Sequence, residues 1–299
     1  MNFRIIARKG KQFLLRWRKQ IEGAFFLFVL TRRNLRSRLP VVCPDGPVVS
    51  LTSYGTRVRQ VYLAIESIGC GTLLPSRIIL WLDEVDAVAH PTIELQRLQA
   101  RGLEIKLCLN YGPHKKYYPF VEAQDDFEKP LVTADDDIFY PRTWLHTLYM
   151  AHQKAPDYVH CLRARRIQVN AQGIAPYATW SMVQDKNPSY LNLATGCAGV
   201  IYPAALLRQI KLQGTAFLEV CPRADDLWLH AQALRSGFRI QQVLSREFPL
   251  CEIPGTQTNA LYLHNFGEGN DSQIQTTYNK HDVEKLRQEA FSQGISVSE

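Results

Sequence analysis

Apolar and polar positions come in blocks along the first half of this chain, and the period of the blocks alternates. "PVVSLTSY" (47–54) is a short apolar run that ends in hydroxyls, the pattern of a buried strand. Val58, Val61, Tyr62, Ile65 and Ile68 then recur at helical spacing. "RIILWLD" (77–83) predicts a second strand, "PTIELQRLQARG" (91–102) a helix stopped by Gly102, and "LEIKLCL" (103–109) a third strand. Residues 117–128 read as a helix and "PLVTADDDI" (130–138) as a fourth strand. This alternation predicts an α/β fold with a mostly parallel central sheet and helices on both faces. The second half is less regular. Residues 158–169 and 192–203 read as strands, 224–237 as a helix with Gly237 as its stop, 238–244 as a strand and 280–293 as a terminal helix.

Composition changes this picture at one end. The chain has 299 residues, 46% of them hydrophobic, enough for one large α/β domain. Its net charge of +7 is unevenly spread. Residues 1–38 carry eleven Lys or Arg and a single acid, Glu22, which leaves the remainder at −3. A nucleic-acid-binding body is therefore not expected. Phe13, Leu14, Trp17, Ile21, Phe25 and Phe28 recur at helical spacing among Arg16, Arg18 and Lys19. The longest apolar run there, Gly23 to Leu30, is eight residues, against about 20 for a spanning helix. We read residues 1–40 as a basic amphipathic arm that lies on an anionic membrane surface, with a helix packed on the domain or an oligomer contact as the other reading, and 41–299 as the main domain. The seven cysteines are odd in number and form no CxxC pair, which argues against a disulfide framework and for a reducing compartment. A cytoplasmic protein, peripheral on the inner face of the membrane, is the expectation.

The candidate chemistry gathers at predicted strand ends, where ligands of parallel sheets bind. Asp135, Asp136 and Asp137 follow the fourth strand. On an extended chain Asp135 and Asp137 would face one site, and hard oxygen donors suit Mg²⁺ or Mn²⁺. Arg57 follows the first strand and Lys115-Lys116, in "GPHKKYYP", the third; both could neutralise a diphosphate. Asp225-Asp226 opens a helix, as dipole-complementing acids or as a general base. Gly196 and Gly199, in "ATGCAGVIYP", would let a ligand approach the backbone. His264 is a possible third metal ligand. No GxGxxG follows the first strand, and no GxxxxGK[ST], HExxH or GxSxG occurs.

Taken in order, "SLTSYGTR", "GPHKKYYP", "TADDDIFYP", "TGCAGVIYP" and "ADDLWL" resemble the GT-A-fold glycosyltransferases, of the bacterial family-2-like kind that builds surface polysaccharide or lipopolysaccharide. The resemblance covers about residues 47 to 265. It implies a metal-dependent transfer of a sugar from a nucleotide-diphosphate sugar, a UDP-sugar by the resemblance, to a glycan or lipid-linked acceptor. It implies that Asp135 and Asp137 bind Mn²⁺ or Mg²⁺, with Asp136 beside the ribose or sugar. Thr52, Ser53 and Tyr54 would line the nucleotide pocket, and Asp226, ahead of Asp225, would be the base of an inverting reaction. The usual Glu-Asp pair is here Asp-Asp, and the His264 segment is similar to metal-binding His motifs of other GT-A families without their full pattern. Two other readings stand beside this one. A nucleotidyltransferase is disfavoured by the lack of a Gly-rich, Arg- or Lys-bearing phosphate loop after the first strand. A non-catalytic membrane-associated protein with a degenerate transferase fold is disfavoured by the intact triplet, acid pair and lysines.

Overall fold

The structure is a computed structural model and describes residues 21–246, 248, 250–256 and 268–295. Seven strands form its central sheet: β1 (Val48–Thr52), β2 (Arg77–Leu82), β3 (Leu103–Leu107), β4 (Leu131–Ala134), β5 (Val159–Cys161), β6 (Val200–Tyr202) and β7 (Ile240–Gln242), in the order β7-β5-β6-β4-β1-β2-β3. All neighbours are parallel except β6, which runs against both β4 and β5.

Strand residues alternate between the two faces, and each face has its own core. Val49, Leu51, Ile78, Leu80 and Val132 pack with helices Val61–Ile68 and Trp144–Lys154. Val48, Ile79, Trp81, Leu131 and Val200 pack with helices Ala204–Leu212 and Asp225–Arg235. The chain is thus an α/β protein with a mostly parallel central sheet and helices on both faces. Strand register fixes the rim: Thr52 lies opposite Trp81 and Leu51 opposite Ala134, so the carboxyl ends of β1, β2 and β4 finish side by side.

Several elements differ from the sequence reading. The fourth strand stops at Ala134, and Asp136 and Asp137 lie in a turn. Ile138–Phe139 pairs instead with Cys251–Glu252. The premise of an extended chain through the triplet therefore fails: the turn lets Asp136 and Asp137 both reach Arg57, while Asp135 meets Lys116. The helix expected at 117–128 covers only Tyr118–Ala123, since the backbone at Gln124 is extended. Residues 158–169 and 192–203 are each broken. After Cys161 the chain leaves the central sheet, and Ala164–Arg166 joins a three-stranded sheet with Asn192–Ala194 and Ser181–Met182. Between Ala194 and β6 lies a 3₁₀ turn, Gly196–Ala198. Both breaks fall at the sheet switch and place Arg163, Thr195 and Gly196 over the rim of the sheet.

The arm does not stand apart from the domain. Residues 1–20 lie outside the described residues, but 21–36 form a helix docked on the body. Leu30 is buried and Phe26 stacks on Phe139, 5.4 Å between centroids. Glu66, fully buried, accepts from Arg33 Nε at 3.1 Å, Asn34 Nδ2 at 3.1 Å and Arg101 Nη1 at 2.5 Å. A buried carboxylate needs such partners, and two of the three come from this helix. Residues 21–36 therefore pack on the body.

Candidate functional site

A cleft of about 1070 Å³ opens along the rim. One wall is built from the parallel half of the sheet. Thr52 Oγ1 donates to the Trp81 carbonyl at 2.9 Å, and Tyr54, Arg57, Asp83, Lys115, Lys116 and the acid triplet line the wall with it. The triplet is spread over three partners. Asp135 accepts from Lys116 Nζ at 2.7 Å, and its backbone N–H donates to the Tyr140 hydroxyl at 2.7 Å. Asp136 is buried, accepts from Ser53 Oγ at 2.5 Å and meets Arg57 at 3.1 Å. Asp137 pairs with Arg57. Burial pushes the Asp136 carboxyl up, while Arg57 and the Ser53 hydroxyl pull it down.

The lysines are held by the short 3₁₀ turn Gly112–Lys116. His114 anchors that turn from below. Its Nε2 donates to the Cys221 carbonyl at 2.7 Å and its ring stacks on Phe217 at 4.1 Å. Burial lowers His114 to about 4, so it stays neutral. Lys115 is buried against Asp83 at 2.6 Å. Lys116 reaches across the cleft, 2.7 Å from Asp135 and 3.6 Å from Asp225. Burial alone would lower its ammonium, but Asp135, Asp225 and Asp226 outweigh that and hold it well above its usual value.

The opposite wall comes from the second half of the chain: Arg163, Arg165, Tyr177, Thr195, Gly196, Cys197, Arg223 and the acid pair. Asp225 is buried, and its Oδ2 takes no hydrogen bond beyond the approach of Lys116. Asp226 accepts from the Gly196 N–H at 3.0 Å. Burial, and then the charge of Asp225, raise the Asp226 carboxyl well above the usual carboxylate range, against the pull of Lys116 and the Gly196 N–H.

The structure thus brings Thr52, Tyr54, Arg57, Lys115, Lys116, Asp135, Asp136, Asp137, Gly196, Asp225 and Asp226 to one cleft. Two expected contacts are corrected. Ser53 is 1% exposed and does not line the cleft; it holds Asp136 in place. Gly199 has φ +94°, and a Cβ there would meet the Trp144 indole at 2.6 Å. It is glycine because Trp144, which donates to the Ala198 carbonyl at 2.8 Å, occupies that space. His264 lies outside the described residues.

Sequence reasoning missed Asp83, Arg163, Arg165, Tyr177 and Arg223. Asp83 ends the predicted strand "RIILWLD" as Asp135 follows "PLVTA", and that parallel was a usable signal. The arginines of "CLRARR" lay inside an assumed continuous strand, so nothing marked them.

For a divalent cation, no three His, Cys, Asp or Glu side chains converge as a preformed cage among the described residues. Asp135 and Asp137 each face a cationic side chain instead. The donor set still fits Mg²⁺ or Mn²⁺, which are held by one or two carboxylates and completed by water and substrate phosphates. It suits a cation arriving with a diphosphate.

No family model matches the chain, and no curated protein matches it. Solved structures similar to it include the following three. A CMP:2-keto-3-deoxy-manno-octonic acid synthetase complexed with CTP is 14% identical, with 66% of this chain and 88% of that chain covered and a TM-score of 0.40. TarS 1–349 of S. aureus is 13% identical, with 82% and 71% covered and a TM-score of 0.47. GalNAc-T7 with UDP, GalNAc and Mn²⁺ is 10% identical, with 74% and 47% covered and a TM-score of 0.45. At these values the likenesses decide no activity, and the functional reading rests on the side chains of the cleft.

Proposed function

We propose that the protein is a GT-A-type glycosyltransferase that moves a sugar from a nucleotide-diphosphate sugar to an acceptor hydroxyl. The observation that carries this reading is the acid triplet facing the acid pair across one cleft, with Lys116 between them at 2.7 Å from Asp135 and 3.6 Å from Asp225. The triplet wall holds the donor. Tyr54 and Thr52 line the nucleotide end, and Asp135 and Asp137 would hold Mn²⁺ or Mg²⁺ against the diphosphate. When bound, that cation offsets carboxylate charge and stabilises the leaving diphosphate. Arg57, Lys115 and Lys116 add fixed positive charge beside it.

Asp226 faces this wall as general base. Its raised proton affinity suits the role, because a base works best when its pKa lies near the working pH. The acceptor O–H gives its proton to Asp226, the oxygen bonds to the anomeric carbon, and the bond from that carbon to the diphosphate oxygen breaks. Attack opposite the leaving group inverts the anomeric centre. The Gly196 N–H fixes the position of Asp226, and the charge of Lys116 favours its ionised form.

Residues 21–36 give the body a membrane-facing side. Ile21, Phe25, Phe28 and Leu35 are 53%, 62%, 64% and 56% exposed and recur at helical spacing on one side of the helix, with exposed Arg32 in the same stripe. No described helix is long and apolar enough to cross a membrane. A stripe of this kind lies in the interface of an anionic bilayer.

The test is product analysis. Incubated with UDP-sugars and Mn²⁺, the protein should release UDP, and EDTA should abolish the release. Pyrophosphate as the product, formed from UTP and a sugar phosphate, would identify a nucleotidyltransferase instead. UDP release that persists in EDTA would assign the diphosphate's charge to Arg57, Lys115 and Lys116 alone.

A further inference from the structure

The two walls of the cleft hold their cations differently. Arg57, Lys115 and Lys116 each meet an aspartate. Arg165 meets no carboxylate among the described residues. Its Nη1 donates to the Trp180 carbonyl at 2.9 Å, and its guanidinium lies 5.1 Å over the Tyr177 ring. One carbonyl and one ring fix the plane of the group, and Arg165 lines the cleft. Arg163 lies beside it, with Nη1 donating to the Cys197 thiol at 3.2 Å. Arg223 lines the cleft from the turn just before Asp225.

These groups gather around the acid pair. Tyr177 reports their proximity: burial raises its phenol to about 12, Asp226 adds to the rise, and Arg165 and Arg163 oppose it. A guanidinium fork matches the oxygens of a phosphate or carboxylate. The donor diphosphate does not need this wall, because it has three cations on the other. A neutral acceptor would leave a half-buried guanidinium with no anion.

Taking the transfer reading above as its basis, we infer that this wall is the subsite of an anionic acceptor, a saccharide or polyol whose phosphate or carboxylate is gripped by Arg165, with Arg163 and Arg223 beside it, so that a neighbouring hydroxyl meets Asp226. The shared chemistry is an oxyanion close to the hydroxyl that is glycosylated.

The experiment titrates sn-glycerol 3-phosphate, galacturonate and glycerol by calorimetry into the full-length protein, with and without Mn²⁺ and UDP. Either anionic probe, or both, should bind to the UDP-loaded protein and glycerol should not; the tighter of the two identifies phosphate or carboxylate. Arg165→Gln keeps a polar side chain but carries no charge. It should weaken the anionic probes by about 10- to 100-fold, as expected for a charge-assisted hydrogen bond. Its melting temperature and UDP affinity should stay at the wild-type values. Arg165→Lys, a point charge without the fork, should restore part of the affinity. Equal binding of glycerol and glycerol phosphate would overturn the inference, as would anion binding that survives Arg165→Gln. A parallel loss of UDP affinity would move Arg165 to the donor site and overturn it too. If UDP does not bind but anion binding without nucleotide still depends on Arg165, the transfer reading falls and the anion site stands.

Discussion

The parallel-sheet wall of the cleft and the wall opposite it differ in how their charges are matched. On the first, Asp83, Asp135, Asp136 and Asp137 meet Lys115, Lys116 and Arg57. On the second, among the described residues, Asp225 and Asp226 have the distant approach of Lys116 and a backbone N–H, and Arg165 meets no carboxylate. A matched wall has its charges paired before any ligand arrives, which would suit the proposed diphosphate, held the same way at each turnover. An unmatched wall stores its electrostatic cost until a substrate supplies the missing partner, and it keeps a carboxylate with high proton affinity. Catalytic groups are often kept this way, at some expense in stability.

The comparison breaks first at Asp226. Asp226→Asn should lower turnover by on the order of 10²–10⁴, measured as sugar transfer at saturating donor, with UDP affinity close to wild type. If Asp225→Asn is the damaging change and Asp226→Asn is harmless, the base has been misassigned.

Lys116 joins the two walls. Lys116→Met should leave Asp135 and Asp225 without their shared cation and cost about 3 kcal/mol or more of stability in urea unfolding. A Mn²⁺–UDP addition should recover part of that loss, since it restores positive charge beside Asp135. A variant as stable as wild type would mean that the walls are electrically independent.

Gly199 sits at the seam but takes no part in either wall. Gly199→Ala should destabilise by about 1–3 kcal/mol, from the positive φ and the overlap with Trp144, with UDP affinity unchanged in the folded fraction. A selective loss of UDP binding would return Gly199 to the ligand site.

The unmatched wall should also show in the pH dependence of stability. Asp226 is held above the usual carboxylate range by burial and by Asp225. The folded protein therefore keeps that proton more tightly than the unfolded chain does. The associated stability is present at low pH and is lost as pH rises from the ordinary carboxylate value through the raised one, roughly pH 4 to pH 8. Asp226→Asn should flatten that decline in a thermal melting series. An identical slope in both proteins would show that Asp226 titrates normally.

The smallest effect lies outside both walls. Phe25→Ser with Phe28→Ser should weaken binding to anionic liposomes by on the order of tenfold or more, since each exposed Phe that inserts contributes about 1.5–3 kcal/mol at most. Transfer to a soluble acceptor should not change. Deleting the whole arm is a poorer test, because Arg33 and Asn34 hold buried Glu66. Co-sedimentation equal to wild type would make the stripe a contact for something other than lipid.

Legibility in the sequence followed the range of the interactions. Four strands, the helix that begins at Asp225 and the capped helix Lys280–Ser292 were readable because hydrophobic period and helix start signals are local. The strand-end position of the triplet was readable for the same reason. Its division among Lys116, Ser53 and Arg57 was not, since Ser53 and Asp136 are 83 residues apart and meet only through the register of β1 with β4. Residues 158–169 look like one strand because an apolar alternation does not say which sheet each half joins. Arg163 and Arg165 became wall residues through that switch alone.

The sequence by itself determined an α/β chain with acids at the carboxyl ends of its strands and a basic, aromatic N-terminal segment, because period and composition are properties of neighbouring residues. The tertiary structure decided which cation each acid meets, which arginine meets no acid among the described residues, and that the helix at 21–36 packs on the body. Those depend on contacts between residues tens of positions apart, such as Arg33 with Glu66, and on burial, which makes a charge costly or useful only once its surroundings are folded.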